Sequence, residues 1–395
     1  MKLFGYIIYL NVLILISTIG KKVRQQNKIT KKIICVTTGR SDIFIWKPIW
    51  KRLIKESSIQ LIIAATGMHL KVDGQNYSEN LENIKTVYLG QDLGGLSPKV
   101  CSSAMAKINQ DFSELYERIK PDLIFVLGDR LDMLPAVVAS LPFNIPIIHL
   151  HGGEITLGAI DNKVRNAVSE LSSLHFVAHK FAKNTLINKG LEKDKIYITG
   201  APGLDNLKKV KKLSKKKLFE ELNIDYVTKF FLCTIHSETK LFNSAEPMEE
   251  CLKSFLEFKD YFFLFSHSNS DPCNKNLNKM LIKTSQKNNN IIFFEKLDYR
   301  HYINLMRYSL GVVGNSSSGI IEAPYMGKCV INVGNRQKGR IVDKSVIHCK
   351  AVKNEISKCI LRCSKRKYKS NISKVYGNGK AGDKIHKLIK KFIMA

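Results

Sequence analysis

The sequence predicts an α/β protein made of two doubly wound units, and three observations carry that expectation. Short apolar runs alternate with amphipathic stretches from residue 33 onward. The runs are continuously apolar, as strands buried on both faces of a parallel sheet require, and do not alternate with period two. They also fall into two series, separated by the Gly/Pro turn and Lys-rich stretch TGAPGLDNLKKVKKLSKKK at 199–217.

The first series is IICVT (33–37), LIIAAT (61–66), LIFVL (123–127), PIIHL (146–150), LHFVA (174–178) and IYIT (196–199). IFIWKPIWKRLIK, after the first strand, and NKVRNAVSELS (162–172) read as helices between them. The second series is FFLCTI (230–235), YFFLFS (261–266), IIFF (291–294), GVVG (311–314) and CVINV (329–333). The expected organisation is an apolar and basic extension over 1–32, a first domain over 33–203 with catalytic carboxylates, and a nucleotide-binding domain over 204–375. A terminal helix over 376–395 is expected to pack back on the first domain.

Lys and Arg number 63 against 34 Asp and Glu, a net charge of +29. Such a balance invites a nucleic-acid reading. The clusters KKVRQQNKITKK (21–32) and LKKVKKLSKKK (207–217), however, carry no interleaved aromatics and no DNA-binding motif. They read as solvated surface, and no nucleic acid is expected as a partner. The nine cysteines form no CxxC pair and no matching His spacing, which disfavours zinc and a disulfide scaffold alike. Cys35, Cys233 and Cys329 sit inside apolar strands and read as reduced core residues.

Residues 3–20, LFGYIIYLNVLILISTIG, carry no charge and barely reach the length of a membrane span. The basic cluster follows this run, which by the positive-inside tendency leaves the rest of the chain cytoplasmic. A secretory signal fits less well, because only Lys2 precedes the run. Two readings stand: a membrane anchor, or a true start just before KKIICVTTGR.

In open α/β sheets, ligands sit beyond the carboxyl ends of strands, so the strand ends are where chemistry is sought. The first strand ends in TTGRSD (37–42), where Arg40 is placed to bind a phosphate or to pair with Asp42. LIFVL ends in GDR, giving Asp129 and Arg130. PIIHL runs into HGGEITLGAID (151–161), giving His151, Glu154 and Asp161. Three carboxylates at one sheet edge repel, so at least one is expected to titrate near neutrality and to suit acid–base work. Helix capping by Asp161 is the plain alternative, and a metal site is only weakly signalled. In the second series, His236 (HSET) and His267 (HSNSD) stand at strand ends.

GVVGNSSSGIIEAPYM reads as strand, loop and helix start. A helix N-terminus exposes unpaired N–H groups to an anion, and Ser316, Ser317, Ser318 and Gly319 let phosphate oxygens approach. Capping explains one serine and not the set, so a phosphate cradle is favoured. Glu322, one turn further, is placed to accept from a ribose diol, and Arg336 and Arg340 of GNRQKGR to cover a diphosphate. The GxxxxGK[ST] form is absent, which argues against a P-loop.

Taken in order, TTGRSD, LGDR, HLHGGEITLGAID, GAPGLDN, TIHSET, GNSSSGIIEAP and GNRQKGR resemble the hydrolysing UDP-N-acetylglucosamine 2-epimerases, over about residues 33 to 340. The resemblance implies two Rossmann-like domains facing a nucleotide-sugar cleft, the GT-B architecture. It implies release of UDP with inversion at C2, giving free N-acetylmannosamine for nonulosonic acid synthesis. By motif, Arg40 would contact phosphate, Asp129 and Asp161 would serve acid–base chemistry, and His236 would touch the diphosphate or sugar. Ser317 and Ser318 would bind phosphate and Glu322 the ribose. His151 stands where family members often carry Glu, so either Glu154 or His151 supplies the third acid–base group. The departure is also compatible with a branch acting on a di-acetamido sugar such as bacillosamine. The chemistry needs two proton-transfer groups and an anion hole, with no redox cofactor or metal. A homo-oligomer, dimer or tetramer, is expected. The competing readings are a GT-B glycosyltransferase, which would need an acceptor, and a non-catalytic basic nucleotide- or nucleic-acid-binding protein, which acidic residues in the cleft disfavour.

Overall fold

The computed structural model describes residues 30–70, 84–93, 97–157, 160–238, 245–266, 274–365 and 374–394. Residues 3–20 and His267 therefore lie outside the described residues. Two sheets, each wholly parallel, organise the chain. The first contains β1 (Lys31–Thr37), β2 (Ile59–Ala65), β3 (Lys85–Tyr88), β4 (Leu123–Leu127), β5 (Ile147–Leu150), β6 (Leu174–Val177) and β7 (Ile196–Ile198), in the order β3-β2-β1-β4-β5-β6-β7. The second contains β8 (Phe230–Thr234), β9 (Phe262–Ser266), β10 (Ile291–Phe294), β11 (Gly311–Gly314), β12 (Cys329–Val333) and β13 (Val346–Cys349), in the order β10-β9-β8-β11-β12-β13. This is the doubly wound α/β fold that the apolar runs predict, and every run named above contributes a strand. β3 and β13 are additions that the sequence reading missed. Both are four-residue strands at a sheet edge; β3 (KTVY) is half polar and β13 (VIHC) is interrupted by His348, so neither stands out as an apolar run.

Each sheet reverses its winding once, between β1 and β4 and between β8 and β11. At such a switch point neighbouring loops leave in opposite directions and open a crevice at the carboxyl edge. At the second one, Gly314 has φ of 146°, and a Cβ there would stand 2.0 Å from the Thr234 carbonyl oxygen. Only glycine lets β8 and β11 meet so closely at their ends.

The helix Arg40–Leu53 shows how sequence places elements. Ile43, Trp46, Ile49, Trp50 and Leu53 recur at helical spacing and are buried against the first sheet. Pro48 inside it has no N–H to offer the Phe44 carbonyl one turn back. That carbonyl accepts instead from the Asn206 side-chain amide, in the helix Gly203–Leu207. The neighbouring Asp205 accepts from the backbone N–H groups of Ala381 and Gly382 at 2.9 and 2.8 Å, fixing the start of the helix Ala381–Met394. Ile385 and Ile389 of this last helix are fully buried in the core of the first sheet. Each such burial contributes about 1.5–3 kcal/mol. The GLDN stretch is thus a structural joint. The chain crosses between the two units here and recrosses beside it, where Ala201 N–H donates to the Tyr376 carbonyl at 2.8 Å.

Cys35, Cys233 and Cys329 are buried free thiols. No helix among the described residues is long and apolar enough to cross a membrane.

Candidate active site

The two switch points converge on one cavity of about 410 Å³. Asp42, Asp129, Arg130, His151, Asp161 and Arg165 line it from the first sheet's side. His236, Ser316, Ser317, Arg336, Gln337 and Arg340 line it from the second. Among the described residues no group of three or more His, Cys, Asp or Glu is arranged to hold a metal ion.

On the first wall Asp129, Arg130 and Asp42 each have fixed partners. Asp129 pairs with Arg165, a buried guanidinium that also donates to the Glu154 carbonyl (2.8 Å) and the Thr156 hydroxyl (3.0 Å). Arg165 therefore folds the 151–161 loop and seats Asp129 in one stroke. Arg130 grips Asp132 with two hydrogen bonds of 3.1 and 3.2 Å. Asp42 accepts from Thr38 N–H, Thr38 O–H and Gly39 N–H at 2.8–3.1 Å, closing the turn after β1. Burial raises the carboxyl pKa of both Asp42 and Asp132, and the charge of Arg130 opposes it. Arg40, the first residue of the following helix, has a side chain outside the described residues.

His149 in β5 donates from Nε2 to the Gly128 carbonyl at 2.7 Å, which leaves Nδ1 to accept from Ser169 O–H at 3.0 Å. It is a neutral structural ring. His151 differs. It adopts a left-handed conformation, φ 65°, which turns its ring onto the cavity wall. Burial holds its pKa down at about 4, although Glu154 pulls it up, so the ring is neutral at physiological pH. Asp161 is the first residue of the helix Asp161–Glu170, whose N-cap position is Ile160. It lines the cavity and is not the cap.

Glu154 does not stand on the cavity wall. It is 2% exposed and meets His179 Nε2 at 2.9 Å and Arg340 Nε at 3.1 Å. His179 Nδ1 accepts from Ala182 N–H, so Nε2 carries the hydrogen that faces the carboxylate. Burial alone would raise this carboxyl. The Arg340 charge and the His179 hydrogen bond outweigh it and set the pKa at about 2. The crowding expected to push a carboxylate toward neutrality therefore does not do so at Glu154, because Arg340 and the His179 N–H came with it. Glu154 instead joins the two units, helped by Leu157 N–H donating to the Lys338 carbonyl at 2.9 Å.

On the second wall the helix Ser317–Tyr325 points its N-terminus at the cavity, and Ser316 caps it by accepting from Ser318 N–H at 3.4 Å. Ser316 and Ser317 line the cavity. Ser318 turns away to hydrogen-bond Tyr302 O–H at 2.6 Å. Gly319 faces the sheet, where a Cβ would crowd Val330 at 3.2 Å. Glu322 lies beyond the cavity wall, with Oε1 3.3 Å from where a Cβ on Gly203 would be. Burial raises its pKa to about 7 against the pull of Arg340. The positive end of this helix, together with Arg336, Arg340 and Arg130, makes this cavity attract anions.

Sequence reading passed over several residues that build the site. Asn315 is fully buried and ties His236 to the loop after β11. Glu238 accepts from Asn335 N–H at 2.6 Å and so shapes the turn that carries Arg336. Asn315 and Glu238 sat inside the quoted motifs beside residues with more conspicuous chemistry. His179 and Tyr376 lay in no motif.

A family profile described as UDP-N-acetylglucosamine 2-epimerase matches residues 51–390. The chain is 31% identical over 346 residues to the GDP/UDP-N,N'-diacetylbacillosamine 2-epimerase (hydrolyzing) of Campylobacter jejuni, covering 86% of this chain and 89% of that one. It is 31% identical over 366 residues to the UDP-N,N'-diacetylbacillosamine 2-epimerase (hydrolyzing) of Legionella pneumophila, covering 91% and 96%. Among solved structures, UDP-GlcNAc 2-epimerase from Neisseria meningitidis bound to UDP-GlcNAc superposes with a TM-score of 0.75 at 21% identity, covering 91% of this chain and 100% of that one. That likeness extends the shared fold to nearly the whole chain.

Proposed function

Because the chain belongs to the UDP-N-acetylglucosamine 2-epimerase family, we propose that it is a hydrolysing member. In this reading it converts a UDP-activated 2-acetamido sugar into the free 2-epimer and UDP. The observation that carries the proposal is the division of labour across one cavity: carboxylates and a neutral imidazole on one wall, a helix N-terminus and guanidinium groups on the other. Two relatives named as hydrolyzing enzymes, each matched over most of its length, support it, and their names favour a 2,4-diacetamido sugar as substrate.

The chemistry follows from that division. The second wall binds the diphosphate and stabilises it as it leaves. A base on the first wall removes the C2 proton, and a glycal forms. Water then adds, with a proton delivered to C2 from the opposite face. Of the carboxylates on the cavity, Asp42 closes the turn after β1, and Asp129 and Asp161 take the proton-transfer roles. His151 is the third group, because its ring lines the cavity and Glu154 does not. His151→Asn separates ring from backbone, since Asn tolerates the left-handed conformation. Turnover is expected to fall about 10²-fold or more with the melting temperature unchanged; a fall under tenfold would remove the imidazole from the mechanism.

The reaction is read directly in deuterated water. The product is expected to be a free 2-acetamido sugar with inverted C2 and one deuterium there. Simple hydrolysis would return uninverted sugar with its original hydrogen, and a transferase would release none without an acceptor. An inverted product lacking deuterium, seen by NMR, would overturn the solvent-exchanging elimination.

Glu322, just past the serine wall, is read as the ribose ligand of a nucleoside that extends beyond the cavity, and its raised pKa gives this a pH signature. A diol donates best to a carboxylate, so UDP affinity is expected to rise with pH through about 7. In the free chain the sign is opposite: stability linked to this proton is lost as pH rises through the same point, because the folded state binds it more tightly. Glu322→Gln should weaken UDP binding by about 1–3 kcal/mol above that pH and flatten the profile. Calorimetry showing the same profile in both proteins would return Glu322 to a packing role.

A further inference from the structure

Asn315 is fully buried, and its polar atoms reach the loops after β8 and β12. Its side-chain Oδ1 accepts from His236 N–H at 2.8 Å, and its Nδ2 donates to the His236 carbonyl at 2.9 Å. Its own N–H donates to the Thr234 carbonyl at 3.2 Å. Its carbonyl accepts from Gln337 Nε2 at 2.9 Å and from Arg336 Nη1 at 3.3 Å. One residue thus fixes the backbone that carries the His236 ring and one arm of the Arg336 guanidinium, and both side chains line the cavity.

The pairing with His236 needs a donor and an acceptor held a fixed distance apart, which a primary amide supplies. Aspartate has the same shape but turns a second acceptor toward the His236 carbonyl. Alanine leaves buried backbone groups unpaired. Fold alone does not demand this arrangement, since Gly314 already seats β11 against the end of β8.

We propose that Asn315 is a positioning residue for nucleotide binding, acting through His236 and Arg336 to hold both toward the diphosphate. This rests on the reading that the second wall binds the diphosphate. Misplacing such groups by about 1 Å costs on the order of 10²-fold.

The test is UDP titration by calorimetry on four proteins: the natural chain, Asn315→Ala, His236→Ala with Arg336→Ala, and the triple variant. Asn315→Ala is expected to weaken UDP binding by about 10–100-fold in the natural background. It should do so by less than about threefold when His236 and Arg336 are already gone, because coupled residues do not add. The same loss in both backgrounds would show an effect independent of those side chains and overturn the proposal. Failure of the His236/Arg336 pair to weaken UDP binding would instead overturn the reading of the second wall. If Asn315→Ala does not fold, Asn315→Asp takes its place in the same cycle; if that also fails to fold, Asn315 is a residue of the fold and the proposal falls.

Discussion

Asp129→Asn is expected to cut turnover by about 10²–10⁴-fold, the range for loss of a general acid or base. That is about 3–5 kcal/mol of transition-state stabilisation, at about 1.4 kcal/mol per tenfold. The substitution is nearly isosteric, and the amide oxygen can still accept from Arg165, so the loop it seats should persist. What disappears is the capacity to take and return a proton. Rates are to be compared at equal folded fraction, checked by circular dichroism. Turnover within tenfold of the natural enzyme would reduce Asp129 to an anchor for Arg165 and move the proton transfer to Asp161.

The second large effect is on stability. Arg340→Leu leaves Glu154 buried beside His179 without its guanidinium, and breaking a buried pair from one side costs about 3–5 kcal/mol. The pH dependence follows. Glu154 has a folded pKa of about 2, below its ordinary 4.5, so its contribution is present above 4.5 and lost as pH falls through about 2. Without Arg340 this contribution goes, and the acid limb of unfolding should move to higher pH. Glu154→Leu added to Arg340→Leu should recover part of the loss, because no charge is then stranded. Urea titrations across pH measure all three proteins. A single variant as stable as the natural chain would mean that Glu154 reaches water when its partner leaves.

The fold was legible because buried parallel strands must be apolar along their whole length. Eleven runs announce themselves that way, from IICVT to CVINV, and the strand-end rule then points to Asp129, His151, His236 and Ser317. What stayed hidden are the partnerships. Glu154 and Arg340 are 186 residues apart, and no local pattern says that the carboxylate will spend its charge on that guanidinium. Spacing places residues on an edge; it does not decide which oxygen takes which donor. By spacing alone Glu154 and His151 are equal candidates for the third acid–base group, and the contacts that tie Glu154 to Arg340 and His179 are invisible to it. Asn315 was overlooked for the same reason, since its importance lies in its partners at the end of β8 and on the loops after β8 and β12 and not in its own reactivity. β3 and β13 escaped because polar residues interrupt them, Lys85 and Thr86 in KTVY and His348 in VIHC, whereas the edge strand β10 is wholly apolar.

The paired crossing at Ala201 and Tyr376 has a mechanical consequence. Two bodies joined by one tether can swing and twist about any axis. Joined at two adjacent points, they behave like a door on two pins, with easy rotation only about the line through both. Gly200 and Gly377 form those pins, with left-handed φ values of 91° and 110°. A Cβ on Gly377 would stand 3.1 Å from the Gly200 Cα. Side chains there would jam the pins together. The Glu154–Arg340 pair and the Leu157–Lys338 hydrogen bond add a further tie away from the pins, so the carboxylate wall and the serine wall stand at one fixed spacing across the cavity. A substrate seated between them meets both sets of groups at once.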